Sequence, residues 1–370
     1  MDVKYKIGTE GGLIPGAEPE DIITRFEKIH TTIFATEDLG AREIALEIAG
    51  AINNHQGEKP FVLGLTTGKS PVGVYRHLVR MCARGEVSFR NVVVFSLDEF
   101  YPIDSAEHQS RNFRIRGELT DHIDIPKENR HFPDGTVPID GVSEFCRRYE
   151  KMIDDAGGID IMLLGMGEQG QLGFNEPGSF DNSRTRLVAL SNTSRKVQSS
   201  LFYGIENTPE KAITMGMATI FDARRIILMA WGEQKADIVR TVAEGEVTAA
   251  IPATMLQEHP GISLIIDEGS AEELTRVKTP WLVGTCDWKP KFIRKAVLWL
   301  CEMTGKPVLK LTYNDYIENN LGQLLEIGGT AYNLNIKVFN DLQHTITGWP
   351  GGKPNADDST RPDTSSPYPK

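Results

Sequence analysis

The stretch PFVLGLTTGKSPVGVYRHL (60–78) decides the fold class, because it reads as strand, loop and helix in one piece. Its first part is an unbroken apolar run, the mark of a strand buried on both faces. Pro71 suits the first turn of the helix that follows, where no N–H is needed. Four further apolar runs repeat the plan: NVVVFSL (91–97), IDIMLLG (159–165), RIILMAWG (225–232) and GISLIID (261–267). Helical patterns lie between them, as in EDLGAREIALEIAGAI (37–52) and PVGVYRHLVRMCA (71–83). Strands alternating with helices predict an α/β fold with a mostly parallel sheet and flanking helices. In such folds ligands sit beyond the carboxyl ends of the strands, at the switch point of the strand order.

The bulk properties narrow the function. The chain has 370 residues, 25% of them charged, and a formal charge of −11. That balance argues against a broad nucleic-acid footprint, so an anionic ligand would need local positive charge or helix N-termini. No apolar run approaches the roughly 20 residues of a membrane span, and the N-terminus MDVKYKIGTEGG has no hydrophobic signal core. Cys82, Cys146, Cys286 and Cys301 are widely spaced and read as free thiols in a reducing cytoplasm. We divide the chain into a domain over 1–275, a C-terminal α/β extension packed on it over 276–347, and a tail over 348–370. The extension shows a helix-like stretch, Arg294 to Thr304, and a strand-like one, PVLKLTY (307–313). The tail is rich in Pro, Gly, Asp and Ser. It reads either as a loose end or as a linker to a further domain.

Three loops carry the chemistry. TTGKSP offers free backbone N–H groups at a helix N-terminus, hydroxyls from Thr66, Thr67 and Ser70, close backbone approach at Gly68, and the charge of Lys69. A nucleotide P-loop needs four residues between its glycines, and Gly64 and Gly68 enclose three. The motif therefore reads as a phosphate site of another geometry, or as a structural turn. VVVFSLDEFY places Asp98 and Glu99 at the carboxyl end of a buried strand. Such a pair can be a base, a metal site or a helix start; two adjacent extended residues cannot both face one pocket. No companion pattern suggests metal. The third loop, GMGEQGQLGFNEPG (165–178), brings backbone close to a ligand around Gly167, yet its prominent side chains are the amides Gln169 and Gln171, with one well-placed acid, Glu176.

Taken together, VLGLTTGKSPVGVY, VVVFSLDEFY, DHIDIPKEN, LLGMGEQGQLGFNEPGS, SRTR, KAITMG and GEQKA resemble the glucosamine-6-phosphate deaminase/isomerase family, in its order, from about Phe26 to Arg276. The resemblance implies a modified doubly wound, Rossmann-like fold. It implies that glucosamine 6-phosphate opens, passes through an enolamine and leaves as fructose 6-phosphate and ammonia. Asp98 would move the proton between C2 and C1, and Thr67, Gly68, Lys69, Ser70 and Lys235 would hold the phosphate. The ligand is then a small sugar phosphate, without metal or organic cofactor. Family members occur as monomers and homo-oligomers.

The chain also departs from that pattern. The family's third loop reads D-G-H before FNE, and its Asp, His and Glu open the sugar ring. Here those positions hold Gln169 and Gln171, leaving Glu176. Glutamine cannot shuttle a proton at neutral pH, and no histidine lies between His131 and His259. The arginine that active members place downstream for phosphate is Ser200, and Lys69, where a second glycine is common, is expected to offset it in part. A lysine supplies a point charge without the bidentate fork. Of the allosteric trio after FNEP, Ser179 and Arg186 match, but Val188 stands in the third place and argues against sugar-phosphate allostery. Three readings follow: a deaminase with altered ring opening, an aldose–ketose isomerase of a related sugar phosphate, or a degenerate sugar-phosphate-binding scaffold. Phosphogluconolactonase, which shares the fold, is disfavoured because it too needs the histidine. TPWLVGTCDW and ITGWPGGKPNADD resemble the extension of longer bacterial relatives, in which a de-N-acetylase-like domain follows.

Overall fold

The computed structural model describes residues 19–347. Ten strands occur among them: β1 Thr31–Phe34, β2 Phe61–Leu65, β3 Val92–Ser96, β4 Asp98–Tyr101, β5 Arg130–His131, β6 Ile161–Gly165, β7 Arg186–Ala189, β8 Lys211–Thr214, β9 Arg225–Ala230 and β10 Ile262–Asp267. Seven form one sheet in the order β1-β10-β9-β6-β2-β3-β5, every pair parallel. The five apolar runs are its long strands, each slightly shorter than the sequence pattern suggests. The strand order reverses between β2 and β6, so the loops that follow these two strands flank the crevice where ligands of such folds bind.

Alternation along each strand builds two cores, one per face. Val62, Phe95, Met162, Leu164 and Leu228 enter one. Leu63, Leu65, Val94, Leu163 and Ile227 enter the other. The helix Glu37–Asn53 covers the second face with Ala41, Ile44, Ala45 and Ile48, at helical spacing, and its first turn is capped by Thr36, whose hydroxyl accepts from the Leu39 N–H at 3.3 Å. Helices Val142–Ala156 and Ala236–Glu244 cover the first face with Tyr149, Ile153, Val239 and Val242.

A second sheet, β4-β8-β7, is antiparallel. It is joined to the first through a single residue. Leu97 donates its N–H to Leu65 O in β2's direction at 2.8 Å, and its carbonyl accepts from Met215 N, just past β8, at 2.8 Å. Asp98 and Glu99 therefore open a strand of the second sheet. They lie just past the carboxyl end of the buried strand β3, as expected, but the chain switches sheets immediately before them, which the sequence pattern does not indicate.

Contacts divide the described chain into two compact units, one running to Lys278 and one starting at Thr279. The second unit is helical, with Pro290–Thr304, Tyr313–Glu318, Gly322–Gly328 and Ala331–Thr347 around Phe292, Ile293, Val297, Leu300, Tyr316 and Leu324. The expected strand over PVLKLTY is not formed, so this region is not α/β. Val308–Lys310 makes a short 3-10 turn, and Thr312 caps the next helix in a reciprocal box with Asp315. The capping pattern TYND outweighs the apolar alternation before it. The tail at 348–370 lies outside the described residues.

Candidate active site

Four loops meet at the carboxyl ends of β2, β3, β6 and β9. After β2, Thr66 is buried, Thr67 and Ser70 are half-buried, and Lys69 is exposed. The turn is fixed from beneath: the Tyr75 hydroxyl donates to Thr66 O at 2.5 Å and the Trp231 indole N–H donates to Ser70 O at 3.0 Å. Gly68 has φ +116°, a conformation that side chains rarely adopt, so only glycine turns the chain here without strain. Pro71 serves as the N-cap and the helix runs from Val72 to Ala83, one residue later than its sequence suggests. The β6 loop lies against this turn, since a Cβ on Gly165 would stand 3.4 Å from that of Ser70.

Lys235 enters from the turn after β9, immediately before the helix Ala236–Glu244, and its ammonium donates to Met166 O in the β6 loop at 3.1 Å. Burial pushes its pKa down, and the charge of Glu168 pulls it back up. A half-buried ammonium beside two loop backbones is suited to an anionic ligand. Lys69, by contrast, is exposed.

Asp98 and Glu99 part company, as adjacent residues of an extended strand must. The Glu99 carboxylate accepts from Ser110 Oγ at 2.6 Å and from the N–H groups of Arg111, Asn112 and Phe100 at 2.9, 2.9 and 2.8 Å. It anchors the first turn of the helix Arg111–Ile115. Asp98 is 4% exposed and its Oδ1 has no hydrogen-bond partner. The nearest charge is the buried guanidinium of Arg111, whose Nε lies 3.9 Å from Oδ1, beyond hydrogen-bond reach. Burial raises the Asp98 pKa above the ordinary carboxylate range and Arg111 opposes that rise. The β6 loop closes over the same carboxylate: a Cβ on Gly173 would stand 3.1 Å from Oδ2 and 2.9 Å from the Leu97 side chain.

In that loop the Gln171 amide is turned back onto the main chain. Gln171 Oε1 accepts from Gln169 N–H at 3.0 Å, and the Gln171 side chain fills the space above Gly167 that a Cβ would take. Gln169 itself is exposed. Glu176 is half-buried and its carboxylate accepts from Ser191 N–H at 3.1 and 3.2 Å. Arg186 on β7 donates to Asn175 Oδ1 at 3.0 Å and to Ser179 Oγ at 3.5 Å, so the two matching positions of the allosteric trio do meet. Val188 packs in a satellite apolar cluster with Phe100 and Phe174, and Ser200 is exposed after the helix Asn192–Gln198.

Two residues of this neighbourhood are not singled out by the sequence. Arg111 was masked as one basic residue among several in SRNFRIRG. Asn175, buried within FNEPGS, donates to Leu172 O and Met215 O and ties the loop to the end of β8; its place between Phe174 and Glu176 gives no signal that it is buried.

The residues 35–264, more than half the chain, match the family model described as glucosamine-6-phosphate isomerases/6-phosphogluconolactonase. A glucosamine-6-phosphate deaminase-like protein of Bacteroides thetaiotaomicron is 50% identical over 352 residues; the match covers 95% of this chain and 53% of that relative, so the chain spans about half its length. A glucosamine-6-phosphate deaminase of Thermoanaerobacter pseudethanolicus is 39% identical over 230 residues, 62% of this chain and 90% of the relative. Among solved structures, a monomeric glucosamine-6-phosphate deaminase aligns with TM-score 0.63 and 34% identity over 66% of this chain and all of that one. A 6-phosphogluconolactonase from Thermotoga maritima aligns with TM-score 0.51 at 18% identity, over 65% of this chain and 99% of that one, and speaks for the fold alone. With its sheet order, its loops at the carboxyl ends and these matches, the chain belongs to the glucosamine-6-phosphate isomerase/6-phosphogluconolactonase family.

Proposed function

We propose that this chain is a deaminase of an amino-sugar 6-phosphate that handles the open-chain form. The reading rests foremost on Asp98: a buried carboxylate with one oxygen left without a hydrogen-bond partner, at the carboxyl end of the sheet. Leaving such an atom unsatisfied costs about 1–3 kcal/mol, a cost that a ligand donating to that oxygen would offset. Its raised pKa brings it nearer to neutrality, as a carbon base requires. The phosphate would lie on the turn Thr66–Ser70 and on Lys235. Asp98 would take the C2 proton to give an enolamine and return it at C1. Water would then add to the resulting C2 imine, and ammonia would leave to give the ketose 6-phosphate. The matches to deaminases of the same family support this reading.

A second reading, a sugar-phosphate-binding module without turnover, is favoured by one observation: Gln171 is turned back onto its own loop, where the family's proton relay stands. Solvent-deuterium exchange at C2 of glucosamine 6-phosphate, with ammonia release, separates the two. The deaminase reading expects exchange in the wild type and a loss of about 10²–10⁴-fold in Asp98→Asn. Binding without exchange in either protein sinks it. Gln169→Asp combined with Gln171→His should speed turnover of the closed sugar by up to about 10²–10⁴-fold; an unchanged rate would discard the account of ring opening.

A further inference from the structure

We infer that Arg111 is a positioning residue for Asp98, holding that carboxylate charged and in place from a clamp of two aromatic rings. The inference rests on the reading of Asp98 as the base, and its experiment distinguishes the two failures. The guanidinium lies over Phe100 at 4.7 Å and Phe174 at 5.4 Å, ring centroids that are themselves 5.2 Å apart. Phe100 stands two residues after Asp98 on β4, hence on the same face, and Phe174 comes from the β6 loop that covers Asp98. Arg111 is 6% exposed, and its Nε, like Asp98 Oδ1, has no hydrogen-bond partner. Two opposite charges thus face each other at 3.9 Å without a hydrogen bond between them, in surroundings that exclude water.

The backbone of Arg111 is fixed by the neighbouring acid. Glu99 accepts from Ser110, Arg111 and Asn112, so the two carboxylates act on one arginine from opposite sides: one anchors its main chain, the other meets its charge. Burial lowers the Arg111 pKa and raises that of Asp98, and each group's charge opposes the other's shift. The other ionisable groups that feel Asp98 are the buried phenols of Tyr75 and Tyr149, both pushed upward first by burial, while Arg114 and Glu118 flank Arg111. Arg111 is therefore the one positive charge within ion-pair distance of Asp98 among the described residues.

Two readouts test this. Carboxyl titration by infrared difference spectroscopy, wild type minus Asp98→Asn, gives the ionisation midpoint of Asp98 without any turnover. The pH profile of C2 deuterium exchange gives the acid limb of the reaction. Arg111→Met should raise both midpoints together, by about 1–3 pH units, with exchange recovering toward the wild-type plateau at high pH. Arg111→Lys, which keeps the charge but not the planar fork, should raise them by less, and it is the variant to read if Arg111→Met does not fold. An Asp98 midpoint unmoved in the folded variants overturns the inference, as does a uniform drop in rate with an unmoved acid limb. A wild type that exchanges no C2 proton sinks the deaminase reading alone, because the infrared titration still decides what Arg111 does.

Discussion

Asp98 and Glu99 are neighbours of like charge, both buried, and the fold gives them opposite work. Glu99 is filled with donors; Asp98 is left with an open oxygen. The pair predicts different responses to isosteric amides. In Glu99→Gln an amide group must face backbone N–H donors, so urea denaturation should show a loss of about 1–3 kcal/mol, with catalysis impaired only through the displaced helix. In Asp98→Asn no hydrogen bond of Oδ1 is lost, but the buried guanidinium of Arg111 loses the charge it faces, so urea denaturation should show a loss here too, while exchange falls about 10²–10⁴-fold. Much of this is legible in the sequence. The alternation of an extended strand already requires that only one of the two reach a ligand. What the residues could not say was which charge would meet Asp98, because Arg111 reaches it through a turn of chain whose path depends on Glu99.

At the scale of elements, the long parallel strands were readable because each is buried on both faces and so is apolar without interruption. The second sheet was not. Its strands have four residues each, carry exposed or charged positions such as Arg186 and Lys211, and depend on Leu97 for their connection. The misread PVLKLTY segment shows the reverse error, where a cap defeats an apolar pattern. Asp315 there is held down to about 2, first by Lys306, whose ammonium donates at 2.7 and 2.9 Å, then by the Thr312 N–H. Its folded pKa lies below the roughly 3.9 of an unfolded aspartate, so its stabilising contribution is complete above about pH 4 and is lost as pH falls toward 2. Tryptophan fluorescence can follow this, since Trp281, Trp288 and Trp299 cluster in the helical unit. Asp315→Asn should flatten that acid dependence; an unaltered slope would exclude Asp315 as its source.

For the whole molecule, the two units own separate apolar cores, and every candidate ligand-binding residue belongs to the first. A ligand that binds the folded state at about 100 times its Kd adds about 2.7 kcal/mol of stability. Hydrogen exchange with saturating glucosamine 6-phosphate should therefore slow across 20–278 and leave the helices after 279 unchanged. Equal protection of both would mean that the two cores unfold as one. No helix among the described residues is long and apolar enough to cross a membrane.

The single-residue joint at Leu97 has a consequence for how such a centre can change over time. Inserting one amino acid there would invert the parity of everything downstream on β4: the acid now tethering the turn would swing toward the open side, and its neighbour would take over the tether. Because both are carboxylates, the exchange would be chemically silent in composition yet would relocate the base by one link of the chain.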